Sequence, residues 1–119
     1  MYRIFKSQIG NIQIEYKIDN SNALMYHIYY EPQYIKNFIL TLKNSIDDLK
    51  TSGIKKVLQK VSKTDWDQYL KKEEKWSILE YNKDFGLYTI ECDIENIFTC
   101  IMHGFGIYED HTDYKTVIE

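Results

Sequence analysis

Cys100 and His103 stand one helical turn apart, and a thiolate and an imidazole at i,i+3 spacing offer two soft ligands to zinc. With Cys92 and His111 they give the run Cys-x7-Cys-x2-His-x7-His. That spacing matches no established zinc motif, so unrelated thiols and surface histidines explain it equally well. At 100° per residue both Cys100 and His103 fall away from the Ile94/Ile97/Ile101 stripe, on the side or solvent face of their helix. A Cys–His nucleophile is the other chemistry open to them. It requires a third group to orient the imidazole and an oxyanion loop, and neither accompanies the pair.

Tyr26, Tyr29, Tyr30 and Tyr34, with His27 among them, could line a pocket that stacks a ring or presents hydroxyls to a ligand. The simpler reading is that strand and helix aromatics build the core and its rim. Lys55, Lys56, Lys60 and Lys63 could gather phosphate, or could guard an edge strand against unwanted pairing. Glu109, Asp110, His111 and Asp113 lack the glycine and the ligand order of a calcium loop. No glycine-rich phosphate loop and no His-Glu-x-x-His occurs. No cofactor is therefore assigned.

Composition limits the partners. The net charge is −3 and Arg3 is the lone arginine, so neither a bulk positive field nor a guanidinium fork is present to hold a phosphate backbone. Nucleic acid is disfavoured as a partner. No apolar run approaches the ~20 residues of a membrane span or the pattern of a signal peptide. Two cysteines in 119 residues fit reduced thiols in a cytoplasmic compartment. Ala23 and Pro32 are also single occurrences while Tyr, with eleven, is abundant. This bias matches AT-rich codons, as in a low-GC microbe, a protist or a large DNA virus.

The elements that must position these residues follow from periodicity. Arg3–Lys6 and Ile12–Ile18 read as strands around a Gly10-Asn11 turn, the second alternating apolar with Gln13, Glu15 and Lys17. Leu24–Tyr30 is apolar at nearly every position and reads as a central strand covered on both faces. Pro32 opens a helix whose Tyr34, Ile35, Phe38, Ile39, Leu42, Ile46 and Leu49 form one stripe as far as Gly53. Ile54–Val61 is a strand, and Thr64 with Asp67 suggests a capping box on a short helix. Trp76–Tyr81 and Phe85–Cys92 make a hairpin, and Asp93 is placed to cap a last helix carrying Ile94, Ile97 and Ile101.

The expected fold is α+β in two layers, a mixed, mostly antiparallel sheet with the order βββ-α-β-α-ββ-α and helices packed on one face. One domain spans residues 1–107, with an acidic tail over 108–119. Aromatic richness without catalytic order points to a small binding or interaction module. Such a module would be an accessory or structural protein acting on a protein partner or on a second copy through Tyr26, Tyr29, Tyr30 and Tyr34. The alternative is a small metal-dependent or Cys/His enzyme centred on Cys100 and His103.

Overall fold

The computed structural model describes residues 1–107; the expected acidic tail and His111 lie outside the described residues, as does the side chain of Tyr69. Strands β1 (Tyr2–Ser7) and β2 (Ile12–Asp19) pair antiparallel. They are joined by a turn in which Gly10 and Asn11 take the left-handed backbone, with φ of 77° and 52°. The alternation read from the sequence is realised: Ile12, Ile14 and Tyr16 are buried, while Gln13, Glu15 and Lys17 project from the opposite face. Strand β3 (Asn22–Tyr29) folds back on β2 and leads through a 3₁₀ turn, Pro32–Tyr34, into helix α1 (Ile35–Thr51).

After α1 come β4 (Lys56–Ser62) and α2 (Lys63–Asp65), which runs on into a π-helical turn, Trp66–Leu70. The hairpin β5 (Ser77–Asn82) and β6 (Leu87–Asp93) and helix α3 (Ile97–Gly104) follow. The six strands form one sheet in the order β1-β2-β3-β4-β6-β5. Every neighbouring pair is antiparallel except β3 and β4, the parallel pair that α1 connects.

One face of this sheet meets the helices. Phe38, Ile39, Leu42, Ile46 and Leu49 of α1 share a buried cluster with Ile12, Ile14, Tyr16, Ala23, Met25 and Val57. Ile97, Cys100 and Ile101 of α3 extend the same layer over Ile90 and Cys92. Each fully buried side chain of this kind contributes about 1.5–3 kcal/mol relative to exposure. The Tyr16 hydroxyl, carried into the core, donates to Ser45 Oγ at 2.9 Å, and Ser45 donates onward to the Leu42 carbonyl at 2.8 Å. Arg3 fastens the other end, donating to Asp48 Oδ2 at 2.7 Å near the last turn of α1. The α+β sheet with helices on one face is thus the architecture expected from the sequence.

Four local expectations change. β3 is central, yet Tyr26, His27 and Tyr29 are exposed, so its apolar run is not covered on both faces. β4 lies inside the sheet, between β3 and β6, and is not its edge strand; Lys56 pairs with Asp93 at 2.5 Å across to β6. The cap of α2 is Ser62, whose Oγ accepts from the Asp65 amide at 3.0 Å, rather than Thr64. Finally, α3 starts at Ile97 and not at Asp93, because the chain spends residues 94–96 turning off β6.

Candidate functional site

The parallel pair does not stay closed. Its register runs Asn22↔Lys56, Ala23↔Val57 and Leu24↔Leu58 and then stops, although β3 continues to Tyr29 and β4 to Ser62. Past that root the two strands diverge, each still held on its outer side, β3 by β2 and β4 by β6. The facing edges of Met25–Tyr29 and Gln59–Ser62 therefore carry backbone N–H and C=O groups with no strand partner. At about 3.3 Å per residue this leaves roughly 13–16 Å of edge on each side of a wedge. Such a crevice at the carboxyl ends of parallel strands is where open sheets receive ligands.

A bulge explains the divergence. Against β2, Tyr16 pairs with Met25 and Glu15 with His27, so Tyr26 is an extra residue without a partner. An inserted residue bends its strand and sharpens the local twist, here two positions past the root of the wedge. It also puts consecutive side chains on one face: Tyr26 and His27 are both exposed, while Met25 is buried. Tyr26 meets Tyr2 edge-on at 5.7 Å. Partial desolvation, and after it the negative charge of Glu15, raises the pKa of the Tyr26 hydroxyl.

On the helix side the floor of the wedge is closed by Gln59, whose Nε2 donates to Met25 Sδ at 3.3 Å. On the open face a recess of about 290 Å³ crosses the root, lined by residues that include Leu24, Leu58, Lys60 and Glu80. A larger groove of about 570 Å³ lies between β1 and α1, beside Phe5, Ile9 and Asn44, away from the wedge.

The turn that follows β3 sits at the mouth of the wedge, and its chemistry is unusual for a helix entry. Pro32 has no amide hydrogen to offer. The Tyr34 amide is already bonded to the Glu31 carbonyl at 2.9 Å. Gln33 Nε2 donates to the Glu31 carboxylate at 3.3 Å. No glycine lies between Gly10 and Gly53, so nothing in this turn lets the backbone wrap closely on an anion. The Tyr34 ring rests on Gly10, where an added Cβ would stand 2.5 Å from its Cγ.

The four tyrosines singled out by sequence separate into two groups. Tyr26 and Tyr29 stand exposed on the open face. Tyr30 stacks on Phe38 at 4.1 Å, with Phe105 edge-on to it at 5.4 Å, and burial raises its hydroxyl pKa; Tyr34 packs on Gly10. Cys100 is buried, against the solvent-side placement that ideal 100° steps from Ile94 predict, because α3 starts at Ile97 and carries Ile97, Cys100 and Ile101 on one face. Its Sγ lies 3.3 Å from that of Cys92. Hydrogen bonding to Cys100 lowers the Cys92 pKa, while the same bond and burial hold the proton on Cys100. His103 instead binds Glu73, Nδ1 to Oε2 at 2.5 Å. Among the described residues no three His, Cys, Asp or Glu side chains converge to hold a metal.

The bulge and wedge escaped sequence reasoning. A faint signal exists in the run Leu24–Tyr30, where Tyr26 and His27 break strict alternation.

No protein-family model matches the sequence, and no match is found among curated protein sequences. Solved structures do share the fold. The chain is similar to PaiA N-acetyltransferase from Thermoplasma acidophilum, in complex with coenzyme A, with 17% identity, a TM-score of 0.51 and 69% of this chain covered. It is similar to the ribosomal-protein-S18-alanine N-acetyltransferase from Escherichia coli, with 17% identity, a TM-score of 0.55 and 78% covered. A Desulfovibrio desulfuricans protein described as a GNAT-family acetyltransferase gives 13% identity and a TM-score of 0.57, with 78% covered. The chain spans 52% of the first of these proteins and 69% of the other two.

The fold is thus GNAT-like. This finding overturns the expectation of a small interaction or binding module of accessory or structural kind. It also overturns the alternative of a Cys/His metal enzyme: these solved structures of the same fold are acetyltransferases, and Cys100 and His103 are turned to Cys92 and Glu73. No helix among the described residues is long and apolar enough to cross a membrane.

Proposed function

We propose that this domain is an acyltransferase that moves an acyl group from a pantetheine-type thioester, such as acetyl-CoA, to an amine. The wedge between β3 and β4 carries this reading, because it offers two unpaired strand edges in a fold whose solved relatives include an N-acetyltransferase in complex with coenzyme A. A pantetheine arm is an extended chain with amide groups, and exposed strand edges hold such chains by main-chain hydrogen bonds. The edge of Met25–Tyr29 and that of Gln59–Ser62 are suited to the arm. The turn Glu31–Tyr34 is not suited to the diphosphate, for the reasons of donor count and charge given above, and no step is assigned to it.

The thioester supplies an activated carbonyl and a thiol leaving group. Unpaired N–H groups on the β3 edge are donors for the carbonyl oxygen as it gains charge. Tyr26 and Tyr29 flank the wedge on the open face. There His27, displaced onto that face by the bulge and opposite Glu15 in the β2 register, is the candidate general base. The amine nitrogen bonds to the acyl carbon as the carbon–sulfur bond breaks. His27 takes the proton lost by nitrogen and returns it to the departing sulfur.

The test is thiol release from acetyl-CoA with a panel of primary amines and peptide N-termini. Wild type releases thiol with at least one acceptor, and His27→Gln lowers kcat by about 10²–10⁴-fold with acetyl-CoA affinity kept. Absence of both binding and release in the wild type would refute the proposal.

A further inference from the structure

We infer that the site recognises the pantetheine arm of its thioester and leaves the nucleotide end essentially ungripped, so that the substrate class is acyl-pantetheine rather than acyl-CoA as such. This rests on the acyltransferase reading and deepens it. A diphosphate at the end of an arm lying in the wedge would reach the entry of α1, where backbone N–H groups and the helix dipole ordinarily bind anions.

Here that entry is closed to an anion in several independent ways. Position 32 is proline and has no donor. The Tyr34 amide is consumed by the Glu31 carbonyl. The Glu31 carboxylate, positioned by Gln33, places negative charge at the turn itself. The Tyr34 ring, seated on Gly10, fixes the turn from the other side. Lys63, at the end of β4, is paired with Asp67 at 2.9 Å. By contrast, the strand edges that would hold the arm's amides are open over Met25–Tyr29 and Gln59–Ser62. Each charge-assisted hydrogen bond to a phosphate is ordinarily worth about tenfold or more in affinity, and Pro32 and the Tyr34 amide supply none here.

Calorimetric titration of the full chain with coenzyme A, pantetheine and adenosine 3′,5′-diphosphate separates the two ends of the ligand. The expected result is that coenzyme A and pantetheine bind within about fivefold of one another, while the adenosine diphosphate shows no binding up to millimolar concentration. Glu31→Gln should strengthen coenzyme A binding severalfold and leave pantetheine unchanged. Acetyl transfer from S-acetylpantetheine should then match that from acetyl-CoA within the same factor. Coenzyme A binding 100-fold or more tighter than pantetheine overturns the inference and leaves the acyltransferase reading standing. Failure of both thiols to bind overturns the two together.

Discussion

Gly10→Ala tests whether the turn at the mouth of the wedge is held by packing. Gly10 has φ +77°, and an alanine there pays the left-handed penalty of about 1–2 kcal/mol. Its Cβ would also stand 2.5, 2.6 and 2.7 Å from Cγ, Cδ2 and Cβ of Tyr34. Carbon atoms in contact sit near 3.5–4.0 Å, so the ring must retreat by about 1 Å, dragging Pro32–Tyr34 with it. Overpacking of this degree costs about 1–3 kcal/mol, for a total of about 2–5 kcal/mol. Gly86 supplies the control: it has φ +64° with nothing within 4 Å of an added Cβ, so Gly86→Ala carries the backbone penalty alone. Urea unfolding of both variants measures the difference. Tyr34→Ala in the Gly10→Ala background should recover part of the extra loss, because the obstruction is gone. If Gly10→Ala is no more destabilising than Gly86→Ala, the claim that Tyr34 is wedged against this turn is wrong.

Tyr16→Phe removes the bond to Ser45 and should lower stability by about 1 kcal/mol, since Ser45 keeps its bond to Leu42. Burial raises the Tyr16 pKa well above its unfolded 10.0, so the unfolded chain alone loses this proton at high pH. Stability contributed by the neutral phenol is complete below pH 10.0 and declines above it by about 1.4 kcal/mol per pH unit; Tyr16→Phe should flatten that alkaline slope, and an unchanged slope in urea titrations would count against it. Cys92 and Cys100, both buried, should react with Ellman's reagent only after unfolding, and rapid native labelling would contradict their placement between β6 and α3. Trp76 is buried, with its Nε1 lacking a partner among the described residues; Trp76→Phe should therefore shift the urea midpoint little, far short of the 3–5 kcal/mol typical of truncating an aromatic to alanine.

Periodicity carried the helix-facing half of the fold because burial of one face imposes a period. Ile12, Ile14 and Tyr16 alternate, and Phe38, Ile39, Leu42, Ile46 and Leu49 recur at helical steps, since each must reach the same core. β3 departs from its apolar pattern on the other face. Its tyrosines are as apolar in composition as core residues, and only the pairing with β2 and β4 reveals that Tyr26 and Tyr29 point to the open side. Cys100 departs in the opposite direction, buried where helical steps from Ile94 place it toward solvent. Ideal steps counted from Ile94 assume a helix that begins there, and the actual start at Ile97 shifts which residues face β6. The candidate site was illegible for a deeper reason. A wedge is a relation between strands far apart in sequence, Met25–Tyr29 and Gln59–Ser62, and it is built from main-chain groups that every residue type possesses.

This last point bears on how the site can tolerate its sequence. A cradle for phosphate demands glycines and amide donors at fixed positions, and the sequence Glu31, Pro32 and Tyr34 does not meet that demand. A strand edge demands only that a neighbour be absent, and one inserted residue at Tyr26 achieves that while β2 goes on holding the strand. Restoring regular pairing is then the most direct perturbation. Deleting Tyr26 should remove the bulge, leaving Met25 opposite Tyr16 and His27 opposite Glu15 as consecutive pairs, and let β3 run on alongside β4. The expected outcome is a folded protein with unchanged or increased stability, slower amide exchange at Gln59–Ser62, and lost binding of pantetheine. Retained pantetheine binding by a folded deletion variant would mean that the ligand does not lie in the wedge.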